Sequence, residues 1–161
     1  MLYLIEILNW IKDVGLTSVY DMIITKEILD ELSAKAKENP RLRCNLDMRN
    51  SADDQSQRML NALEPGTVMP IHRHLGSSET CVCIRGHFEE YLYGFTETRS
   101  DGTPDPDSFG IIDTIDMVPG GVVLNIEKGQ WHSLRCLESN TILLEAKDGA
   151  YHPLTEDEIW K

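Results

Sequence analysis

The sequence predicts an all-β fold, a barrel or sandwich of short strands, preceded by an α-helical segment. Three observations predict it. From Gln57 onward, short alternating segments rich in β-branched and aromatic residues follow one another. Turn residues separate them at short intervals, in EPG, RGH, PGG, KGQ and SN. Before them, a run beginning at Thr25 carries its apolar residues at helical spacing instead.

The opening stretch Met1 to Ile11, MLYLIEILNWI, is apolar on nearly every face, carries Glu6, and is about half the length that crosses a bilayer. It reads as a short buried or partner-seeking helix, or as a translated stretch that the working protein lacks. Met22 stands just before the next helix and offers an alternative start, which would leave residues 1–21 as an N-terminal extension. The helix follows Thr25 as KEILDELSAKAKEN, with Ile28, Leu29 and Leu32 on one stripe and Lys35 and Lys37 in the last turns, and Asn39 and Pro40 end it. Residues 22–56 thus form a helix and a lead-in, and residues 57–161 form the barrel with a C-terminal tail. The expected strands are MLNALE, ETCVCIR, FEEYLYGF, IIDTIDMV, VVLNIE, HSLRCLE and TILLEA. The polar run from Glu97 to Ser108 contains two prolines and reads as an exposed loop between two of them.

Length and composition limit the function classes. At 161 residues, 41% hydrophobic and 26% charged, the chain is one domain's worth of globular sequence. Its 27 acidic and 15 basic residues give a formal charge of -12, which repels a phosphate backbone or an anionic membrane surface. We therefore expect no nucleic-acid partner and no membrane partner. A few arginines inside a pocket could still hold a small anion. The four cysteines, Cys44, Cys81, Cys83 and Cys136, form no C-x-x-C pair, and no secretory leader precedes them, so reduced thiols and a cytoplasmic location are expected.

The chemistry gathers at His72-Arg73-His74. Two histidines at i and i+2 on an extended segment point to the same side, so both imidazoles can reach one ion. Gly66 lies six residues before His72, Glu79 five after His74, and Gly86 seven after Glu79, giving G-x5-H-x-H-x4-E-x6-G. Further on, Gly121, Gly129 and His132 keep the spacing of G-x5-P-x-G-x2-H-x3-N, with Glu127 in place of the proline and Cys136 in place of the asparagine. These spacings resemble the two motifs of the cupin superfamily. The stretches NPRLRCNLDM, QRMLNALEPGTVMPIHRH and EAKDGAYHPLTEDEIW further resemble the small WbuC-type cupin metalloproteins, over roughly residues 22 to 160.

The resemblance implies a cupin, or jelly-roll, double-stranded β-barrel holding one divalent transition metal through His72, His74, Glu79 and His132. The two departures fall on positions that bind no metal in the family pattern, so they bear on the shape of a turn. Three imidazoles and one carboxylate suit iron, manganese, zinc, nickel or cobalt and leave one or two coordination positions open. WbuC-type proteins are often encoded among genes for surface-polysaccharide (O-antigen) synthesis, which suggests a sugar intermediate as the small polar ligand. Two function classes follow: a metal-dependent isomerase, epimerase or dioxygenase, and a non-catalytic cupin that binds a ligand or the metal alone. Cupins commonly pair through strand edges, and a homodimer is expected.

Around the four ligands, strand alternation turns Cys81, Cys83 and Cys136 toward the interior, where small thiols pack well. His87 and His152 read as turn or tail residues. Arg41, Arg43 and Arg58 are weighed between ion pairing and anion binding, while Arg73 faces away if its flanking histidines face in. Tyr91, Tyr93 and Trp131 read as core or as an apolar wall beside the site.

Overall fold

The computed structural model describes residues 23–161. The N-terminal extension over residues 1–21, its apolar opening and the Met22 start lie outside the described residues.

Helix α1 spans Lys26–Glu38. Thr25 occupies the N-cap position as expected, although its hydroxyl makes no capping hydrogen bond. The stripe of Ile28, Leu32 and Ala36 is buried. It packs on the outside of a β-sheet, where Leu32 and Ala36 join Leu60, Ala62 and Ile142 in one apolar cluster. Arg85 fastens the helix from below, donating to Asp30 Oδ1 at 2.6 Å, the Leu29 carbonyl at 3.0 Å and Ser33 Oγ at 2.8 Å.

Eight strands follow: β1 (Arg43–Asp47), β2 (Ser56–Leu63), β3 (Glu79–Arg85), β4 (Phe88–Phe95), β5 (Phe109–Met117), β6 (Val123–Ile126), β7 (Trp131–Cys136) and β8 (Thr141–Asp148). All seven expected strands form. The eighth, β1, was expected only as lead-in. RCNLD is too short and polar to read as a strand by itself, but pairing with β2 from Arg43↔Leu63 to Asp47↔Met59 makes it one. The run between Glu97 and Ser108 is the expected exposed connection of β4 to β5, braced by a Thr98↔Pro104 bridge and a 3₁₀ turn at Pro106–Ser108.

The strands form two antiparallel sheets, one ordered β1-β2-β8-β3-β6 and one ordered β5-β4-β7. Between them lies an apolar core that includes Leu63, Cys83, Phe88, Met117, Leu134 and Leu143. The expected closed barrel is not formed by continuous ladders. The segment between β2 and β3 would have to complete the wall, and its backbone pairs with β7 at a single bridge, His72↔His132. Pro70 lacks an N–H for a ladder there, and the backbone of Ile71 and Arg73 turns to the C-terminal tail instead. The Trp160 amide donates to the Ile71 carbonyl at 2.9 Å and the Arg73 amide to the Glu158 carbonyl at 3.0 Å.

Candidate metal centre

Two local devices set the site. The first is the reciprocal pair between the motif histidines: the His72 amide donates to the His132 carbonyl at 2.9 Å, and the His132 amide to the His72 carbonyl at 2.8 Å. The second is the turn before β7. Its Gln130 amide donates to the Glu127 carbonyl at 3.0 Å, Gly129 takes a φ of +82°, and the Gly129 amide donates to the His74 carbonyl at 2.9 Å. Glu127 therefore supports this turn without the motif's proline, through its carbonyl. Cys136, at the asparagine position, is buried in the core and donates its thiol to the Glu138 carbonyl at 3.1 Å.

The backbone brings all four sequence-predicted residues together. One nitrogen or oxygen from each of His72, His74, Glu79 and His132 lies within 4.8 Å of the others. Bonds of about 2.1 Å to one octahedral ion would put adjacent ligand atoms about 3.0 Å apart and opposite ones about 4.2 Å apart. The cluster is thus within a small side-chain adjustment of a coordination shell.

At His72 and His132 the protons can sit on Nδ1 and leave Nε2 free, whereas His74 Nε2 lies 3.2 Å from Lys147 Nζ, which can only donate. His72 Nδ1 lies 3.0 Å from the Pro70 carbonyl, which can only accept, so Nδ1 carries the hydrogen and Nε2 keeps its lone pair. Burial, followed by the neighbouring His132, pushes the His72 pKa down to about 3, so the ring is neutral at pH 7. His132 Nδ1 lies 2.9 Å from Glu90 Oε1, and burial lowers the pKa of His132 as well. Burial, then the nearby Glu79 and Glu145, raises the Glu90 pKa well above the ordinary carboxylate range. Without a cation the pair can share a single proton. A cation at Nε2 would favour the arrangement with the proton on Nδ1 and Glu90 ionised.

Three buried side-chain atoms lack hydrogen-bond partners among the described residues: Glu79 Oε2, Glu90 Oε2 and His132 Nε2. Glu79 Oε2, although without a hydrogen bond, is within ion-pair distance of His74 Nε2 at 3.0 Å and Lys147 Nζ at 3.3 Å, so His132 Nε2 is the cluster atom left with no polar contact. Each orphaned buried polar atom costs about 1–3 kcal/mol. Two of the three belong to the four-residue cluster, where they could serve as donors to a cation. Burial raises the Glu79 pKa, but the His74 contact and Lys147 outweigh it, so the carboxyl stays ionised.

A second layer surrounds the four. Glu79 faces Lys147 across the β3/β8 ladder. The ammonium also meets Glu145 Oε1 at 2.5 Å, and Glu145 accepts from Gln57 Nε2 at 2.7 Å and Asn61 Nδ2 at 3.2 Å. Glu79 and Glu145 raise the Lys147 pKa against the opposing effect of burial. Sequence reasoning missed Glu90, Glu145 and Lys147. Alternation gave a signal for each, since Glu90 shares its phase with Phe88 and Leu92, and Glu145 and Lys147 with Leu143.

The remaining candidates divide. Cys81, Cys83 and Cys136 face the interior as expected, and burial pushes the Cys83 thiol up to about 11. His87 pairs with Asp116, and His152 is exposed near Glu158, so neither joins the cluster. Arg58 pairs with Asp54 at 2.8 Å, and Arg73 lies over the Trp131 ring. Arg41 and Arg43 line a cavity of about 200 Å³ together with His72, Glu79 and His132. Tyr93 and Trp131 do not line it. They belong with Phe95, Phe109 and Trp160 to an aromatic cluster beneath the tail, where Phe109 and Trp160 stack with centroids 3.5 Å apart. Tyr91 donates to Glu89 instead.

A family model described as "Domain of unknown function (DUF6016)" matches residues 24–99. No curated protein matches the chain. Among solved structures, KdgF from Halomonas sp. is 14% identical with a TM-score of 0.52, over 70% of this chain and 84% of that one. L-ribose isomerase from Cellulomonas parahominis is 15% identical with a TM-score of 0.52, over 69% of this chain and 62% of that one. The capsular polysaccharide assembling protein CapF from Staphylococcus aureus is 16% identical with a TM-score of 0.52, over 72% of this chain. The match spans 29% of CapF and less than two thirds of the isomerase, so it reaches only part of either protein. At these identities the likeness concerns fold, and the fold this chain shares with them is the cupin fold.

Proposed function

We propose that the chain holds one divalent transition metal ion through His72, His74, Glu79 and His132 and uses it on a small polar molecule. The observation that carries this reading is the convergence of four ligand atoms within 4.8 Å, two of their residues presenting buried atoms without a hydrogen bond. A bound ion would act as a Lewis acid, or as a redox centre if it is iron or manganese. The polypeptide's part is to orient the ligands through Pro70 and Glu90 and to keep them dry within the two sheets. The same reading favours an isomerase, epimerase or dioxygenase, because His72, Glu79 and His132 border a cavity that a substrate could enter.

The finer assignment is a WbuC-type cupin serving surface-polysaccharide synthesis. The three stretches quoted above support it, as does the fold shared with a protein described as capsular polysaccharide assembling. A homodimer belongs to the same proposal, supported by edge strand β5, on which Ile111 and Ile112 are half exposed. No helix among the described residues is long and apolar enough to cross a membrane.

The test is elemental analysis of untagged protein, paired with the double variant His72→Ala/His74→Ala. About one equivalent of a transition metal in the parent, absent from a folded double variant, is expected. Equal metal in both would refute the ligand assignment. A parent that stays empty after reconstitution would refute the metal reading altogether.

A further inference from the structure

We propose that the cavity beside the metal cluster binds a small anion, a carboxylate or phosphate, on Arg43 and Arg41, so that the substrate is an acid or phosphate ester whose other end carries a metal-binding oxygen. The second half of this statement rests on the metal reading above; the arginine half does not.

The argument begins with charge. Among the described residues, Arg49, Arg58, Arg85 and Arg99 each pair with an aspartate, and Arg73 covers an indole. Among the described residues Arg41, Arg43 and Arg135 form no ion pair, and of these Arg135 meets Tyr91, which leaves the two arginines that line the cavity, in a chain with 27 acidic residues against 15 basic ones. Surface chance does not explain this for Arg43. Its side chain enters the cavity from β1, whose partner residues Asn61 and Leu63 line the same space. The guanidinium reaches only the Val68 carbonyl, at a long 3.4 Å, and the Met69 sulfur, a poor acceptor. Most of its five donors have no strong acceptor. Burial, and then Arg41, lower the Arg43 pKa, which is the mark of a cation held without its counterion.

The acids bordering the same cavity do not serve as that counterion. Glu145 is committed to Lys147, Gln57 and Asn61, Glu79 to the cluster, and Glu90 to His132. The cavity is therefore polarised, with two unpaired guanidiniums on one side and the metal-binding face on the other. A forked guanidinium matches the two oxygens of a carboxylate or phosphate. The volume of about 200 Å³ lies below the roughly 300–1,000 Å³ of pockets for drug-sized ligands, which limits the guest to a small molecule.

The experiment follows the Arg43 Nε–Hε resonance, assigned by its loss in Arg43→Lys, while the full chain loaded with zinc is titrated with sodium phosphate, sodium acetate or glycerol at constant ionic strength. Saturable shifts with phosphate, acetate or both are expected, with none from glycerol, and an apparent Kd at least tenfold weaker in Arg41→Gln. Response to phosphate alone assigns a phosphate ester, and response to acetate alone a carboxylic acid. The absence of a saturable shift with either anion, or an equal Kd in Arg41→Gln, overturns the proposal. If zinc does not bind, the same titration of the metal-free chain still decides the arginine half. Zinc stoichiometry thus reports on the metal reading, and the arginine resonance on this one.

Discussion

Replacing Gly86 with alanine should destabilise the protein far more than the same change at Gly129, although both are motif glycines with nearly equal φ. Gly86 closes the β3–β4 turn at φ +79°, and Gly129 sits at φ +82°. Each substitution meets the left-handed penalty of about 1–2 kcal/mol. At Gly129 nothing lies within 4 Å of the added Cβ, so the cost stops there. At Gly86 the Cβ would lie 2.3 Å from Thr141 Oγ1 and 2.7 Å from Thr141 Cα. Thr141 cannot rotate away: it is fully buried, and its hydroxyl accepts from the His87 amide at 3.0 Å and donates to the Glu138 carbonyl at 2.7 Å. The backbone contact persists whatever the rotamer. Overpacking of this kind adds about 1–3 kcal/mol, bringing Gly86→Ala to about 2–5 kcal/mol. For a chain of this length each kcal/mol moves the melting point by about 2–4 °C. Melting should be followed by circular dichroism in chelator, so that metal binding does not add to native stability. Gly86→Ala is expected to melt about 10 °C below the parent, and Gly129→Ala only a few degrees below. Equal melting points for the two variants would show that Thr141 does not hold this turn as described.

Two further outcomes test the layer behind the ligands. Glu90→Gln should weaken metal binding by about 10–100-fold without unfolding the chain, because it removes the carboxylate that orients His132; competition with a chromophoric chelator measures this, and unchanged affinity would count against the role. Glu158 is buried and accepts from the Leu75 amide, the Thr155 amide and the Thr155 hydroxyl. Burial alone would raise its pKa, but these hydrogen bonds outweigh it and bring the pKa from 4.5 to about 2. A depressed carboxylate stabilises the fold above its unfolded pKa and loses that effect as pH falls through the folded value. The urea stability gap between the parent and Glu158→Gln should therefore be constant above about pH 5 and narrow between pH 4.5 and 2; a gap independent of pH would refute it.

What the sequence made legible followed from local rules. The helix was readable because Ile28 and Leu32 repeat at helical spacing, and the strands because turn residues bound them so closely. The four clustered residues were readable because His72 and His74 are two apart on an extended segment and the rest keep a fixed spacing. Arg43 was harder. Its strand is five residues long and becomes a strand only through β2, so no local pattern shows which way the guanidinium points. Glu158 was legible only in part: Thr155-x-x-Glu158 has the spacing of a capping box, but its other partner, Leu75, lies more than eighty residues away. The closed barrel failed for a similar reason: the segment that bears His72 divides its backbone hydrogen bonds between β7 and the tail, two to each.

The interior is also graded along its length, and this grading explains why one register serves both stability and the site. On β3 the inward residues run from Glu79 through Cys81 to Cys83, polar to apolar. On β8 they run the other way, from Leu143 through Glu145 to Lys147. Antiparallel pairing sets Glu79 against Lys147 and Cys83 against Leu143, so charge meets charge at one end and apolar meets apolar at the other. The second sheet repeats the arrangement, with Phe88 facing Cys136 at the apolar end and Leu92 facing His132 near the cluster. A slip of one residue would turn each inward set to the outer face. A slip of two would keep the faces but leave Lys147 opposite Cys81 and Glu79 without its cation. Leaving a buried charge unpaired in this way costs several kcal/mol. The polar end is therefore a determinant of strand register, and the residues that would bind an ion also restrict the ways the two sheets can assemble.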